Sequence, residues 1–141
     1  MQKTMMLDIV SAEGAIFKGE VASLNADGMM GGLGIFAGHM PLLTRLKPGQ
    51  LRAVLSNGAE HLFYISGGML EVQPEMAIVL ADTATRAEDL DEAAAVAAKE
   101  EAERQLVDQK AGIDYSRALT ELAEALAQLR TLDALRHKTR H

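Results

Sequence analysis

Eleven of the twelve glycines lie at or before Gly68, and all three prolines (Pro41, Pro48, Pro74) precede residue 75. Beyond Arg86 only Gly112 interrupts 55 residues rich in Ala, Glu, Leu and Arg. Glycine and proline punctuate short strands and turns, and their absence permits long helices. All eight methionines also fall before residue 77. So sharp a break divides the 141 residues into two units. The expected fold is a mainly β N-terminal sandwich over 1–86 followed by an all-α C-terminal antiparallel two-helix hairpin over 87–141.

In the first unit, short β-prone runs recur with turn signals between them, as in sandwiches and barrels. Met5 to Val10 is one run, and Ala15 to Asn25, with a glycine at 19, is another. From Gln50 to Leu55, Leu51, Ala53 and Leu55 share one face and Arg52 takes the other. Asn57-Gly58 then predicts a two-residue hairpin with positive φ at both positions. In the next run His61, Phe63 and Ile65 alternate with Leu62 and Tyr64, and Met69 to Gln73 pairs with Met76 to Leu80 across Pro74-Glu75.

In the second unit, Asp89 with Glu92 reads as a capping-box start, and helix formers continue to about Val107. Asp108 to Ile113 is the expected turn, and Asp114 is expected to cap a second helix ending near His137. Leu119, Leu122, Leu126 and Leu129 form an apolar stripe, facing mainly alanines (Ala94, Ala97, Ala98, Ala102) between Leu90 and Leu106. An alanine methyl contributes about 0.8 kcal/mol on burial against roughly 1.5–3 for a leucine, so this interface should be weak. Residues 87–108 hold eight acids and two bases, whereas 109–141 hold six bases and four acids. Cations at a helix C-terminus favour its dipole, which accounts for the pattern without a partner; a basic prong for an acidic surface is the functional alternative.

Several classes are disfavoured. With no cysteine there is no thiol nucleophile or thiolate metal ligand, and a net charge of −6 argues against general nucleic-acid binding. No apolar run of about 18 residues is present to span a membrane, and the start has no signal-peptide or transit pattern. Gly32-x-Gly34-x-x-x-Gly38 resembles a dinucleotide loop in letters alone, because Pro41 and Lys47-Pro48-Gly49 leave no room for the helix that would meet a pyrophosphate. The stretch is expected to be a loop within the β domain. His39 has no serine or acid at interpretable spacing, so neither catalytic residues nor metal ligands are expected.

Read in order, Leu7-Asp8-Ile9-Val10-Ser11-Ala12-Glu13, Gly32-Leu33-Gly34-Ile35-Phe36-Ala37-Gly38-His39-Met40-Pro41-Leu42-Leu43-Thr44, Leu46-Lys47-Pro48-Gly49, Ser66-Gly67-Gly68-Met69-Leu70-Glu71-Val72, Val79-Leu80-Ala81-Asp82-Thr83-Ala84 and Asp89-Leu90-Asp91-Glu92-Ala93 closely resemble the epsilon subunit of bacterial F-type ATP synthases. The resemblance spans essentially the whole chain. It implies a non-catalytic central-stalk subunit at the cytoplasmic face of the bacterial plasma membrane, peripheral and held there only through the complex. The implied partners are the gamma subunit, the c-ring and the alpha/beta catalytic hexamer. Gly28, Met29, Met30, Gly31, Gly32 and Leu33 would face the c-ring, and Ser11, His39 and Thr44 would face gamma. Where relatives often carry an acid before the Leu-Gly-Ile step, this chain has Gly32, which removes a charge from the ring contact.

The resemblance also implies that the hairpin is a brake, permissive when compact and inhibitory when extended into the hexamer. A second helix of about 23 residues would span roughly 35 Å, enough to reach between subunits. Arg117, Leu126, Arg130 and Arg136 are the expected contacts there. Some relatives bind ATP on the hairpin through an I/L-D-x-x-R-A motif; here Asp91 remains but Ala94 replaces the arginine, so no cofactor and no tight ATP binding are expected. The alternatives are a helix-docking adaptor and a nucleotide-sensing β-sandwich protein.

Overall fold

A computed structural model describes residues 3–108 and 112–139. Strands β1 (Met5–Ser11), β2 (Gly14–Val21), β3 (Ser23–Gly28), β4 (Gly31–Phe36), β5 (Leu42–Val54), β6 (Glu60–Ile65), β7 (Gly68–Gln73), β8 (Met76–Ala81) and β9 (Ala84–Arg86) come first. Helices α1 (Glu92–Asp108) and α2 (Gly112–Thr139) follow.

One long strand organises the sandwich. The first half of β5, Leu42 to Leu46, pairs with β7, while its second half, Gly49 to Val54, pairs with β6. The bend between the halves is Lys47-Pro48, where a proline has no N–H to offer a ladder. One layer therefore runs β2-β1-β8-β7 into early β5, with β1 parallel to β8, and the other holds late β5 with β3, β4, β6 and β9. Across the bend β3 slips register: Ala26 faces Leu51 but Gly28 faces Leu46. The Asp27 carboxylate fills the bulge and accepts the Gln50 N–H at 3.2 Å. A methyl on Gly49 would overlap that carboxylate.

Between the layers lie Met5, Leu7, Ile9, Val21, Leu24, Ile35, Leu51, Phe63, Ile65, Leu70, Val72 and Val79, all essentially inaccessible to water. Phe63 is the one aromatic among them. Phe17 meets it edge-on at 5.7 Å, and the Arg86 guanidinium lies 5.4 Å from its ring centre. Arg86 also donates to the Ile16 carbonyl at 2.8 Å, pinning the last strand to β2 just where the chain leaves for the helices.

Several expectations change. The run from Ala15 to Asn25 is two strands, parted at Ala22, whose N–H crosses to Val54 O at 2.7 Å. The glycine stretch expected as a loop contains strand β4, because pairing to β3 supplies the order that its side chains do not. The hairpin at Asn57-Gly58 has a three-residue loop: Leu55 N–H bonds Ala59 O, Gly58 N–H bonds Leu55 O, and Gly58 takes φ +88°. Leu62 through Ile65 are buried on both faces, since α2 covers the side that alternation would leave to water.

In the hairpin, the N-cap of α1 is Asp91, not Asp89: its Oδ1 accepts the Ala94 N–H at 3.1 Å, after a short three-ten turn over Ala87–Asp89. Helix α2 begins at Gly112, two residues before the Asp114 expected to cap it, and the expected turn falls partly outside the described residues. At 28 residues α2 is roughly 42 Å long. The leucine stripe is not its most buried face. Leu119 remains 45% exposed, while Ala118, Ala125, Ala127, Thr131 and Leu132 are buried. On α1 the buried alanines are Ala95 and Ala102, whereas Ala94, Ala97 and Ala98 are exposed. Ala95 and Ala102 on α1, and Ala118 and Ala125 on α2, are the small residues buried where the two helices pack, and small residues let helices approach closely.

Gly68 is fixed twice over. It takes φ +153°, and a methyl there would overlap Leu80 O and lie 2.9 Å from Ala81 Cα. Gly68→Ala is expected to cost about 3 kcal/mol or more, measured by denaturant melts of the whole chain.

Candidate functional site

The described residues contain no group of three or more His, Asp or Glu placed to hold a metal ion. Three surfaces stand out instead: a turn, a sheet face and a helix seam.

The turn joins β3 to β4. Gly28 pairs with Gly31, so Met29 and Met30 form its tip, and Met30 is 98% exposed. Gly31 has φ +128°, and Gly28 is close enough to Gly31 O that a methyl would lie at 2.9 Å. Met29 N–H bonds Arg45 O at 3.0 Å, tying the tip to the bend of β5. Beside it Arg45, Lys47, Pro48, Met69 and Asp82 edge a hollow of about 480 Å³ that Thr120 of α2 also lines. The six residues expected to face the ring are therefore one contiguous feature, with Leu33 half-buried and the others but Gly28 exposed.

Ser11, His39 and Thr44 are not brought together. Ser11 lies at the end of β1 near Leu80, and its Oγ accepts the Glu13 N–H at 3.3 Å. His39 lies at the opposite end, where Gly38 N–H bonds Pro74 O, and its Nδ1 is 2.6 Å from Met40 O. Thr44 sits between them, in register with buried Leu70 and Val79 and thus among the inward-pointing residues.

Sequence reasoning missed the face that these residues border. Across the first layer, Leu43, Glu71, Ile78 and Asp8 are in register, as are Arg45, Met69, Leu80 and Val10, and Gln73, Met76 and Met6. All point outward. The face carries an apolar patch centred on β8, with Leu43 68% and Leu80 54% exposed, bordered by Arg45, Glu71 and Gln73 and, on β2, by Lys18 and Glu20. Within it Asp8 Oδ1 is shielded from water and has no hydrogen-bond partner among the described residues. The signal was present in the strands "MMLDIV" and "MAIVLA", which are apolar on both sides.

The seam is where α2 lies on β5 and β6. Tyr64 is buried beneath it, its hydroxyl pushed up to about 12 chiefly by burial, with the Gln128 hydrogen bond opposing and Glu124 adding. Glu124 itself is held above the ordinary glutamate range, first by burial and then by Glu121 and Asp82. Glu101 of α1 lines the same groove of about 310 Å³. Arg104 engages Glu101 at 2.6 Å and Arg117 engages Glu121 at 3.2 Å. At the far end Arg136 pairs with Glu92 of α1, and Lys138 donates to Glu60 O of β6. Of the expected hairpin contacts, Arg117 and Arg136 are thus in ion pairs, Arg130 is exposed and Leu126 half-buried. Asp91 is engaged as a helix cap.

Comparison with known proteins fits these surfaces to a family. The "ATP synthase, Delta/Epsilon chain, beta-sandwich domain" matches residues 4–87 and the "ATP synthase, Delta/Epsilon chain, long alpha-helix domain" matches residues 88–133. The chain belongs to the ATP synthase delta/epsilon family. The ATP synthase epsilon chain of Chromohalobacter salexigens is 57% identical over 131 residues, 93% of each chain. That of Nitrosococcus oceani is 55% identical over 138 residues, 98% of this chain and 99% of its own. A chain in the mitochondrial ATP synthase of Euglena gracilis (OSCP/F1/c-ring, rotational state 1) superposes with a TM-score of 0.84 at 21% identity, covering 92% of this chain and 81% of that one. At that identity the likeness is one of fold. Within the family this chain is of epsilon type, not the catalytic subunit.

The seam has a pH dependence of definite sign. A carboxyl with a raised pKa in the docked state favours docking when protonated, so this contribution is full below the ordinary glutamate pKa of 4.5 and is lost as pH rises through the raised value. Glu124→Gln should therefore firm the docked helix at neutral pH and flatten this dependence. Slower amide exchange along α2 is the expected reading.

Proposed function

We infer that the chain is a rotor connector of an ATP synthase, peripheral at the cytoplasmic face of a bacterial plasma membrane and held there by the complex. The sandwich links gamma to the c-ring, and the hairpin acts as a brake on ATP hydrolysis. The observation that carries this reading is the outward apolar face of the first layer, with Met6, Leu43, Met69, Met76, Ile78 and Leu80 turned away from the core. Contiguous apolar surface of this kind marks a protein interface, and gamma is its occupant in this reading. Ser11 and His39 border it at opposite ends. The Met29-Met30 tip then meets the ring through apolar contact in place of the charge absent at Gly32.

The described hairpin is the compact, hydrolysis-permissive state in this reading. Its contacts are alanines between the helices, the cover of α2 over Leu62 and Tyr64, and exposed ion pairs that solvent screens. Extension would release Arg136 from Glu92 and Lys138 from Glu60, presenting these cations to acidic segments of the catalytic beta subunits, with Arg130 nearby and Arg117 toward the other end of the same helix. Tight ATP binding is not proposed, since Ala94 stands where the motif has arginine and Asp91 caps α1.

Two measurements test this. The catalytic complex reconstituted with the chain truncated after Ala87 should hydrolyse ATP faster than with the whole chain; equal rates with both chains bound would remove the brake. Leu43→Gln and Leu80→Glu, both at exposed positions, should leave the melting temperature of the free chain little changed. They should also weaken gamma binding by about tenfold or more, read by titration calorimetry.

A further inference from the structure

Sulfur enters this chain in one form. There is no cysteine, so every sulfur atom is a methionine thioether. The methionines are unevenly placed. Met5 alone belongs to the core between the layers, at 1% exposure, and the rest of that core is Leu, Ile, Val, Phe and Ala. The others among the described residues lie outside it, toward the two ends of the first layer's outer face. Met6 and Met76 are register partners on β1 and β8. Met40 lies near them, just after Gly38, whose N–H bonds Pro74 O at the turn leading into β8. At the other end Met69 and Met29 edge one hollow, with Met30 beside them at the tip.

Methionine is unbranched and polarizable, and so adapts to an irregular partner surface. Its thioether is also open to peroxide, and the thiols that would compete for the reagent are absent. A lone pair on Sδ takes one oxygen from hydrogen peroxide: the O–O bond breaks, an S–O bond forms, and the second oxygen leaves as water with both hydrogens. Sulfur loses two electrons and the peroxide gains them. The resulting sulfoxide is a polar acceptor, which an apolar partner surface covers only at a desolvation cost. Access to the reagent follows exposure. Met30 is 98%, Met40 78% and Met29 60% exposed, Met6, Met69 and Met76 are partly open on the face, and Met5 is closed off.

We propose that Met6, Met69 and Met76 form a reversible oxidation site: peroxide converts them to sulfoxides on the unassembled chain, makes the outer patch polar and withholds the chain from gamma. Met5 stays reduced, so the sandwich stays folded. The part played by gamma rests on the rotor reading; the confinement of oxidation to the outside of the sandwich does not. In the assembled complex the partner covers these thioethers, and the free chain is the sensitive form. Reductases specific for each sulfoxide epimer, with a dithiol as reductant, reverse the change.

The test treats the purified whole chain with graded hydrogen peroxide. Peptide mass spectrometry locates each added oxygen, thermal melting reports the fold, and titration calorimetry gives the affinity for purified gamma. Met30 and Met40 should oxidise first, Met6, Met69 and Met76 later, and Met5 last. Once the face is oxidised, affinity should fall about tenfold or more with the melting temperature little changed, and the two methionine sulfoxide reductases should restore it. In a chain carrying Met6→Leu, Met69→Leu and Met76→Leu, the ratio of treated to untreated affinity should stay within about twofold of one. A loss in that chain as large as the parent's overturns the assignment to these three residues. Oxidation of Met5 in step with the others, with a lowered melting temperature, overturns the proposal too. Affinity for gamma unchanged by oxidation of a binding parent overturns the switch alone, whereas an untreated parent that fails to bind gamma overturns the rotor reading and the switch together.

Discussion

The bend of β5 at Lys47-Pro48 is the constraint on which the other surfaces depend. A single strand serves both layers, pairing with β7 before the bend and β6 after it. The register slip that the bend forces on β3 is absorbed by Asp27, whose carboxylate accepts the Gln50 N–H in place of a ladder partner. The same corner sets where the β3–β4 turn emerges, because Met29 N–H is held by Arg45 O just before the bend. Tip, glycine strand and outward apolar face are consequences of one corner.

The second half of the molecule is built on a different principle. Large side chains interdigitate in the sandwich, but the helices touch through alanines and the seam includes a partly buried carboxylate near two others. Close backbone approach gives a well-defined geometry with modest hydrophobic gain. Such a contact is specific without being strong, which suits the two positions proposed for the hairpin. The junction is firmer than the seam, because Arg86 is fixed both over Phe63 and on Ile16 O. Motion of the hairpin would leave that anchorage in place.

Much of this was legible in the chain. The alternation of Leu51, Arg52 and Ala53 gave β5 its faces, and the loss of glycine and proline after Arg86 marked the helices. Misreadings arose where a tertiary neighbour overrode a local pattern. Leu62 and Tyr64 looked like the outer face of β6 until α2 covered them, and leucines seemed better packing residues than the alanines that let the helices approach. Asp91, weighed as the remnant of a nucleotide motif, caps the helix instead of Asp89, a difference of two residues that sequence signals rarely resolve. The apolar outer face is signalled in β8 alone, by Met76, Ile78 and Leu80, but its extent required the register of β1, β8 and β7.

The burial of Tyr64 has an optical consequence. The chain has no tryptophan and two tyrosines, so its emission on excitation at wavelengths beyond phenylalanine absorption comes from Tyr64 and Tyr115. One lies under α2 with Gln128 at its hydroxyl, while the other is exposed near the start of that helix. Departure of the helix would bring both rings into water, turning two distinguishable environments into one. Intrinsic fluorescence of the unlabelled protein is therefore a direct gauge of the helix's position.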